Sequence, residues 1–276
     1  MVKRNLLAIA MFGEIIQQYG QELIKDGLVF IAAMAAGALN GIAGGGSFIL
    51  FPTLLFVGIS PIMANATNAI ALLPGTLASA GAYRQEFAKD RRTLVYICIL
   101  GAIGGIAGAI LLLRTPPSTF LKILPYLLLT ATLAFAFSKR LTRWVESQQS
   151  RFANLQTIRT ITITILQLTV SVYGGFFGGG MGILFLASFA LMGMTNINQM
   201  NAYKVMLTSC INAVIVIPFV NAGVILWQEA IIAAIASSIG GYISAYYAQK
   251  INPSIVRRFV ILVGSALTIY FFLRQA

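Results

Sequence analysis

The chain has no histidine, only two cysteines and only seven acidic residues among 276. Charged residues of both signs make up 9% of it, where a soluble domain carries about 25%. Each shortage excludes something. Without histidine there is no common metal ligand, no usual general base and no switch near neutral pH. Cys98 and Cys210 sit singly inside apolar runs, make no metal spacing and read as small packing residues. No Ser-His-Asp set, zinc cluster or phosphate loop is present, and no carboxylate lies deep in an apolar run to relay protons. The reading is of a non-enzyme with no cofactor and no metal.

What is there is hydrophobic: 58% of residues, with a mean hydropathy of +0.87. So few charges do not cover a soluble fold of this size, so the class is a multi-pass protein of the cell (plasma or inner) membrane. The net charge of 19 − 7 = +12 would suggest nucleic acid in a soluble protein. Here the basic residues fall between apolar runs, where they hold loops in the cytoplasm, and no nucleic acid is expected.

A span needs about 20 apolar residues. Runs at roughly 62–83, 93–113, 119–137, 158–177, 197–222, 229–248 and 254–273 qualify. Residues 1–26 read as an N-terminal amphipathic segment lying at the interface. Two stretches are odd. Residues 27–59 are apolar but cut by Gly44, Gly45 and Gly46, and the short run 181–193 follows Gly178, Gly179 and Gly180. The triplets recur at an offset of 178 − 44 = 134. Asn65-Ala66 and Asn201-Ala202 recur at 201 − 65 = 136, as do AIGGIAGA (102–109) and SIGGYISA (238–245). Three landmarks at nearly one offset indicate an internal duplication: repeat 1 over 27–137, a basic polar linker over 138–157, and repeat 2 over 158–276.

The expected fold is therefore an all-α integral membrane protein of two pseudo-symmetric repeats. Each has a glycine-broken helix or re-entrant half-helix hairpin plus three spanning helices. Three crossings per repeat would invert the second against the first. Twelve basic residues then collect on one face and six on the other, with Lys204 left inside a run. Loop 84–92 has four basic residues and its counterpart 223–229 has none, which favours inverted repeats with both termini outside.

Three glycines in a row break a helix, since each costs about 1 kcal/mol against alanine. The freed backbone must line protein or a wet cavity. A half-helix starting there points its amides at the bilayer centre, an anion site. Gly44, Gly45, Gly46 and Ser47 would form one side, and Gly178, Gly179, Gly180 and Gly182 the other. The competing reading, close helix packing, suits Gly101, Gly104, Gly105 and Gly108, where GxxxG spacing occurs twice. Polar residues inside spans add candidates: Asn65, Thr67 and Asn68, with Asn201, Tyr203 and Lys204 at the matching place. Lys204 has no acid near it in sequence, so either an anion pairs with it or it snorkels to the interface. Asn40 and Gln167 also lie in apolar runs.

At these residues the chain resembles the TauE/SafE sulfite exporter family, also called the 4-toluene sulfonate uptake permease group. The pattern is Gly37, Gly41, Gly44, Gly45 and Gly46; then Pro52, Leu54, Leu55 and Gly58; then Ala64, Ala66, Thr67 and Asn68, followed by Gly81 and Tyr83. The second half keeps GGFFGGGMG (174–182) and Gly193. It departs where Leu186 or Ala187 stands for the proline and NAYK for the Ala-Thr opening. The resemblance implies a duplicated membrane transporter of sulfite, sulfonates or related oxyanions, as exporter or as uptake permease. From the residues alone, an anion channel and a scaffold whose glycines only pack helices stay open. The expected partners are a small anionic substrate and the lipid bilayer, with room for a homodimer.

Overall fold

A computed structural model describes residues 2–42, 45–87, 90–152, 156–194, 196–247 and 253–275. Eleven helices are built from them, and no strand is present among the described residues. They are α1 (Val2–Ile42), α2 (Ser47–Phe56), α3 (Pro61–Ala82), α4 (Arg84–Phe87), α5 (Arg91–Arg114), α6 (Pro117–Phe152), α7 (Gln156–Phe176), α8 (Met181–Leu191), α9 (Ile197–Asn221), α10 (Trp227–Tyr247) and α11 (Pro253–Gln275).

Local chemistry sets the boundaries. Pro61 occupies the first turn of α3, where its missing amide costs nothing. Asp90 caps α5 by accepting from the Thr93 amide, and Asn196 caps α9 by accepting from the Asn198 and Gln199 amides. Between α7 and α8, Gly178 and Gly180 take φ of +77° and +76°, a left-handed backbone that L side chains resist. Two helices outrun the expected segments. α1 passes through 26–27 without interruption, and α6 continues past 137 to Phe152. Residues 138–152 contain neither Gly nor Pro, so nothing in them stops a helix.

Among the described residues, three helical stretches are long and apolar enough to cross a membrane: Arg91–Arg114, Pro117–Phe137 and Asn198–Asn221. α3 falls short on hydropathy for a physical reason. It carries Asn65, Thr67, Asn68, Thr76 and Ser79, all buried inside the protein. A helix wrapped by other helices need not match lipid. The lipid-compatible faces lie elsewhere. Val95, Ile99 and Ile103 on α5 are exposed, as are Ile231, Ile235 and Ile239 on α10. The two sets are related, residue for residue, by the offset that takes Asn65 to Asn201. Such apolar stripes belong in a bilayer.

Packing follows a swapped pattern. α1, α2, α3 and α10 form one bundle; α5, α7, α8 and α9 form another. α6 and α11 pack on each other and on the short helices, α6 on α8 and α11 on α2. Glycines bring the backbones together. A side chain on Gly240 would strike the Met34 carbonyl of α1, and one on Gly104 would strike Ser171 and the Leu168 carbonyl of α7. Met34 and Leu168 are themselves related by the offset of the glycine triplets. The GxxxG glycines of α5 are packing residues, as their spacing suggested.

Two hydrogen bonds set the sense of the helices. The Tyr203 hydroxyl, early in α9, donates to the Asp90 carbonyl just before α5 at 2.7 Å. The Leu226 amide, just before α10, donates to Thr67 Oγ1 early in α3 at 3.1 Å. The start of α9 thus lies beside the start of α5, close behind the end of α3. The start of α3 lies beside the start of α10, close behind the end of α9. α3 and α9 run in opposite senses. One groove is lined by residues of α1 from Gln21 to Leu28 and by Phe56, Val57 and Gly58 at the end of α2. α2 has therefore doubled back along α1.

Candidate functional site

A cavity of about 40 Å³ lies where the two bundles meet, room for about three waters. Asn40, Ser47, Asn65 and Asn68 line it from the first bundle, and Gly178, Lys204, Thr208 and Asn212 from the second. Asn68, Leu72 and Thr76 recur every four residues along one face of α3. Lys204, Thr208 and Asn212 do the same on α9, at the counterpart positions of the second half. The wall is thus two matched faces of oppositely running helices.

The cavity is polar and positive. Lys204 is 3% exposed, and its ammonium donates to Asn201 Oδ1 at 3.1 Å. No carboxylate stands among the described residues that line the cavity. Among the described residues the ion pair found is elsewhere, between Lys25 and Glu229 at 2.6 Å. Asn68 Nδ2 donates to Ser47 Oγ at 3.1 Å, while Asn68 Oδ1 is buried with no partner. Turning that amide over lets Ser47 donate to Oδ1 and leaves Nδ2 as a free donor.

Side chains pin both glycine gaps. Asn40 Oδ1 accepts from the Gly46 amide at 2.7 Å. The Tyr173 hydroxyl donates to the Gly179 carbonyl at 2.6 Å. Asn65 Nδ2 reaches across the bundles to the Phe176 carbonyl, at the end of α7, at 3.0 Å. It satisfies one of the acceptors a helix terminus leaves over. Aromatic rings seal the gaps from the sides: Phe48 on Phe135 and Phe51 on Phe177, both edge-on at 5.5 and 5.6 Å.

The residues read from the sequence divide accordingly. Ser47, Asn68, Gly178 and Lys204 share the cavity. Asn201 supports Lys204, and Thr67 ties α3 to the start of α10. Gly45 faces Phe135 and Val260 of α6 and α11, Gly180 faces Ala131 of α6, and Gly179 lies under Phe177. The Gly46 amide is already taken by Asn40. Gly44 lies outside the described residues. Thr76, Thr208 and Asn212 were not singled out from the sequence. Their signal was polar side chains on one helical face of otherwise apolar helices, four and eight residues after Lys204 and eight after Asn68.

The family model described as "Sulfite exporter TauE/SafE" matches residues 29–271. A "Probable membrane transporter protein ORF9" from Sinorhizobium sp is 27% identical over 241 residues, 87% of this chain and 90% of the relative. A "Probable membrane transporter protein" from Haemophilus influenzae is 27% identical over 242 residues, 87% of this chain and 92% of its own. The "Probable membrane transporter protein YfcA" of Escherichia coli K12 is 23% identical over 242 residues, covering 88% and 87%. No solved structure matches significantly.

Proposed function

The chain belongs to the TauE/SafE sulfite exporter family, a family of membrane transporters and not enzymes, and on that premise we propose that it carries small sulfur-containing oxyanions out of the cell through the cavity at Lys204. The observation that carries this is a buried ammonium with no carboxylate among the described residues of its wall. An uncompensated ion inside a protein costs several kcal/mol, and an anionic solute supplies the missing charge. Lys204 makes the charge contact. Asn68, with its amide turned, and Ser47, Thr208 and Asn212 donate to the remaining oxygens. The backbone amides at the glycine gaps contribute only once released: on the α8 side the Gly178 amide has to leave the Tyr173 carbonyl. On the α2 side Asn40 has to leave Gly46 first.

The chain reads as two inverted repeats, 27–137 and 158–276, each opening with a re-entrant hairpin. The opposite senses of α3 and α9 and the doubling back of α2 support this. The basic end holds Arg91, Arg92, Arg140 and Arg258, and the positive-inside rule makes it cytoplasmic. An interior-negative potential then favours anion exit by about 2.3 kcal/mol per charge per 100 mV, so export needs no coupling ion. The moving units are the two swapped bundles and not the two halves of the sequence, because α5 and α10 each pack in the other repeat's bundle. The small volume of the cavity, enough for a few waters, favours a carrier over an open pore.

Thermal stability of the purified protein against sulfite, sulfate, thiosulfate, sulfoacetate and taurine tests the reading. A specific ligand stabilises by RT ln(1 + [L]/Kd). A ranked response that Lys204→Met abolishes is expected. Equal or absent responses to all five overturn it.

A further inference from the structure

α5 and α9 run side by side from the basic end, and the chain's two cysteines meet between them. Cys210 Sγ donates to the Cys98 carbonyl at 3.6 Å, which brings the two side chains to one place. Both are half-buried and free. They line a groove of about 760 Å³ that opens beside the lipid-facing Val95 and Ile99 and reaches Arg91 at the basic end, a path for a small membrane-permeant oxidant. The groove is separate from the Lys204 cavity, and transport needs nothing from it. Packing does not ask for sulfur here. At the counterpart positions in the other half, reached by the Asn65-to-Asn201 offset, the chain has Ala234 and Pro74.

We propose that Cys98 and Cys210 form a dithiol modification site for a small two-electron oxidant of the peroxide class. Their contact makes each thiol the resolving partner of the other, and the groove leaves the pair reachable. One sulfur attacks the peroxide oxygen, the O–O bond breaks, and a sulfenic acid and a water result. The second sulfur attacks the sulfenic sulfur, the S–O bond breaks, an S–S bond forms and a second water leaves. Two electrons pass from the sulfurs to the peroxide, and both thiol protons end in water. In a reducing cytoplasm such a bond forms under oxidative load and is reversed by thiol exchange.

The test is covalent and independent of any transported solute. The purified full chain is treated with hydrogen peroxide, and in parallel with diamide, then denatured and labelled with a maleimide for intact mass. The expected result is a monomer two hydrogens lighter with no labelled cysteine, restored to two labels by dithiothreitol. Cys98→Ser and Cys210→Ser should each give a sulfenic acid trapped by dimedone instead of an internal bond. Two labelled thiols after both oxidants overturn the proposal, as do bonds found only between chains and irreversible oxidation of either sulfur in the wild type.

Discussion

Replacing Lys204 by methionine separates the cost of the site from its use. The ammonium is 3% exposed, and its hydrogen bond is to a neutral amide. Methionine keeps the length and removes the charge. Asn201 is only half-buried, so its oxygen regains a partner from water. Relieving an uncompensated charge should stabilise the empty protein by about 1–3 kcal/mol, or roughly 2–10 °C in melting temperature. Anion binding moves the other way. A charge-assisted hydrogen bond contributes about 1.5–3 kcal/mol, so affinity should fall roughly 10- to 150-fold. The assay is a melting curve with and without the best anion from the screen, followed by anion flux in liposomes. The variant should melt higher when empty, lose the ligand shift and lose flux. A variant that melts lower and still responds to the anion would refute the reasoning, because Lys204 would then be a packing residue.

Three further outcomes follow from the packing. Gly240→Ala should destabilise by about 1–3 kcal/mol by overpacking against α1. Gly27→Ala, in exposed helix with nothing within 4 Å of the added methyl, should be neutral or raise the melting temperature by its better helix propensity. Asp90→Ala should cost about 1 kcal/mol through loss of the α5 cap. The Thr93 hydroxyl and amide hold the Asp90 carboxyl below its ordinary value, so its contribution is full above the unfolded carboxyl's titration. It fades as pH falls through the lowered folded value, and melting of wild type and Asp90→Asn should converge in acid. Finally, with both native cysteines changed to serine, Leu72→Cys joined to Thr208→Cys by a bifunctional thiol reagent should stop flux, since it ties one bundle to the other. A Cys98–Cys210 bond in the wild type should leave flux intact, since both residues lie in one bundle although one precedes and one follows the linker.

Much of the site was legible because glycine triplets and polar residues stand out in apolar runs. Lys204, Asn68 and Ser47 were picked out that way and line one cavity, and Gly104 and Gly108 were read correctly as contact glycines. The Gly46 amide was not legible. Its partner Asn40 lies one turn and a half upstream, and whether that side chain turns inward depends on a gap no propensity describes. The partners of α5 and α10 were hidden for a related reason. A GxxxG face states that something packs closely, never which helix. Hydropathy undercounts α3 because its polar residues are buried against protein neighbours, as Thr67 is where its hydroxyl oxygen accepts from the Leu226 amide at 3.1 Å.

The exchange of α5 and α10 also bears on how the chain is made. As it leaves the ribosome, α1, α2 and α3 are inserted long before α10, whose Gly240 and Ser237 they must receive. α5 meanwhile stands without α7 and α9. Neither assembly closes until nearly the last helix has arrived, so the first half alone has no finished fold to reach. Two separately synthesised halves should accumulate only when expressed together.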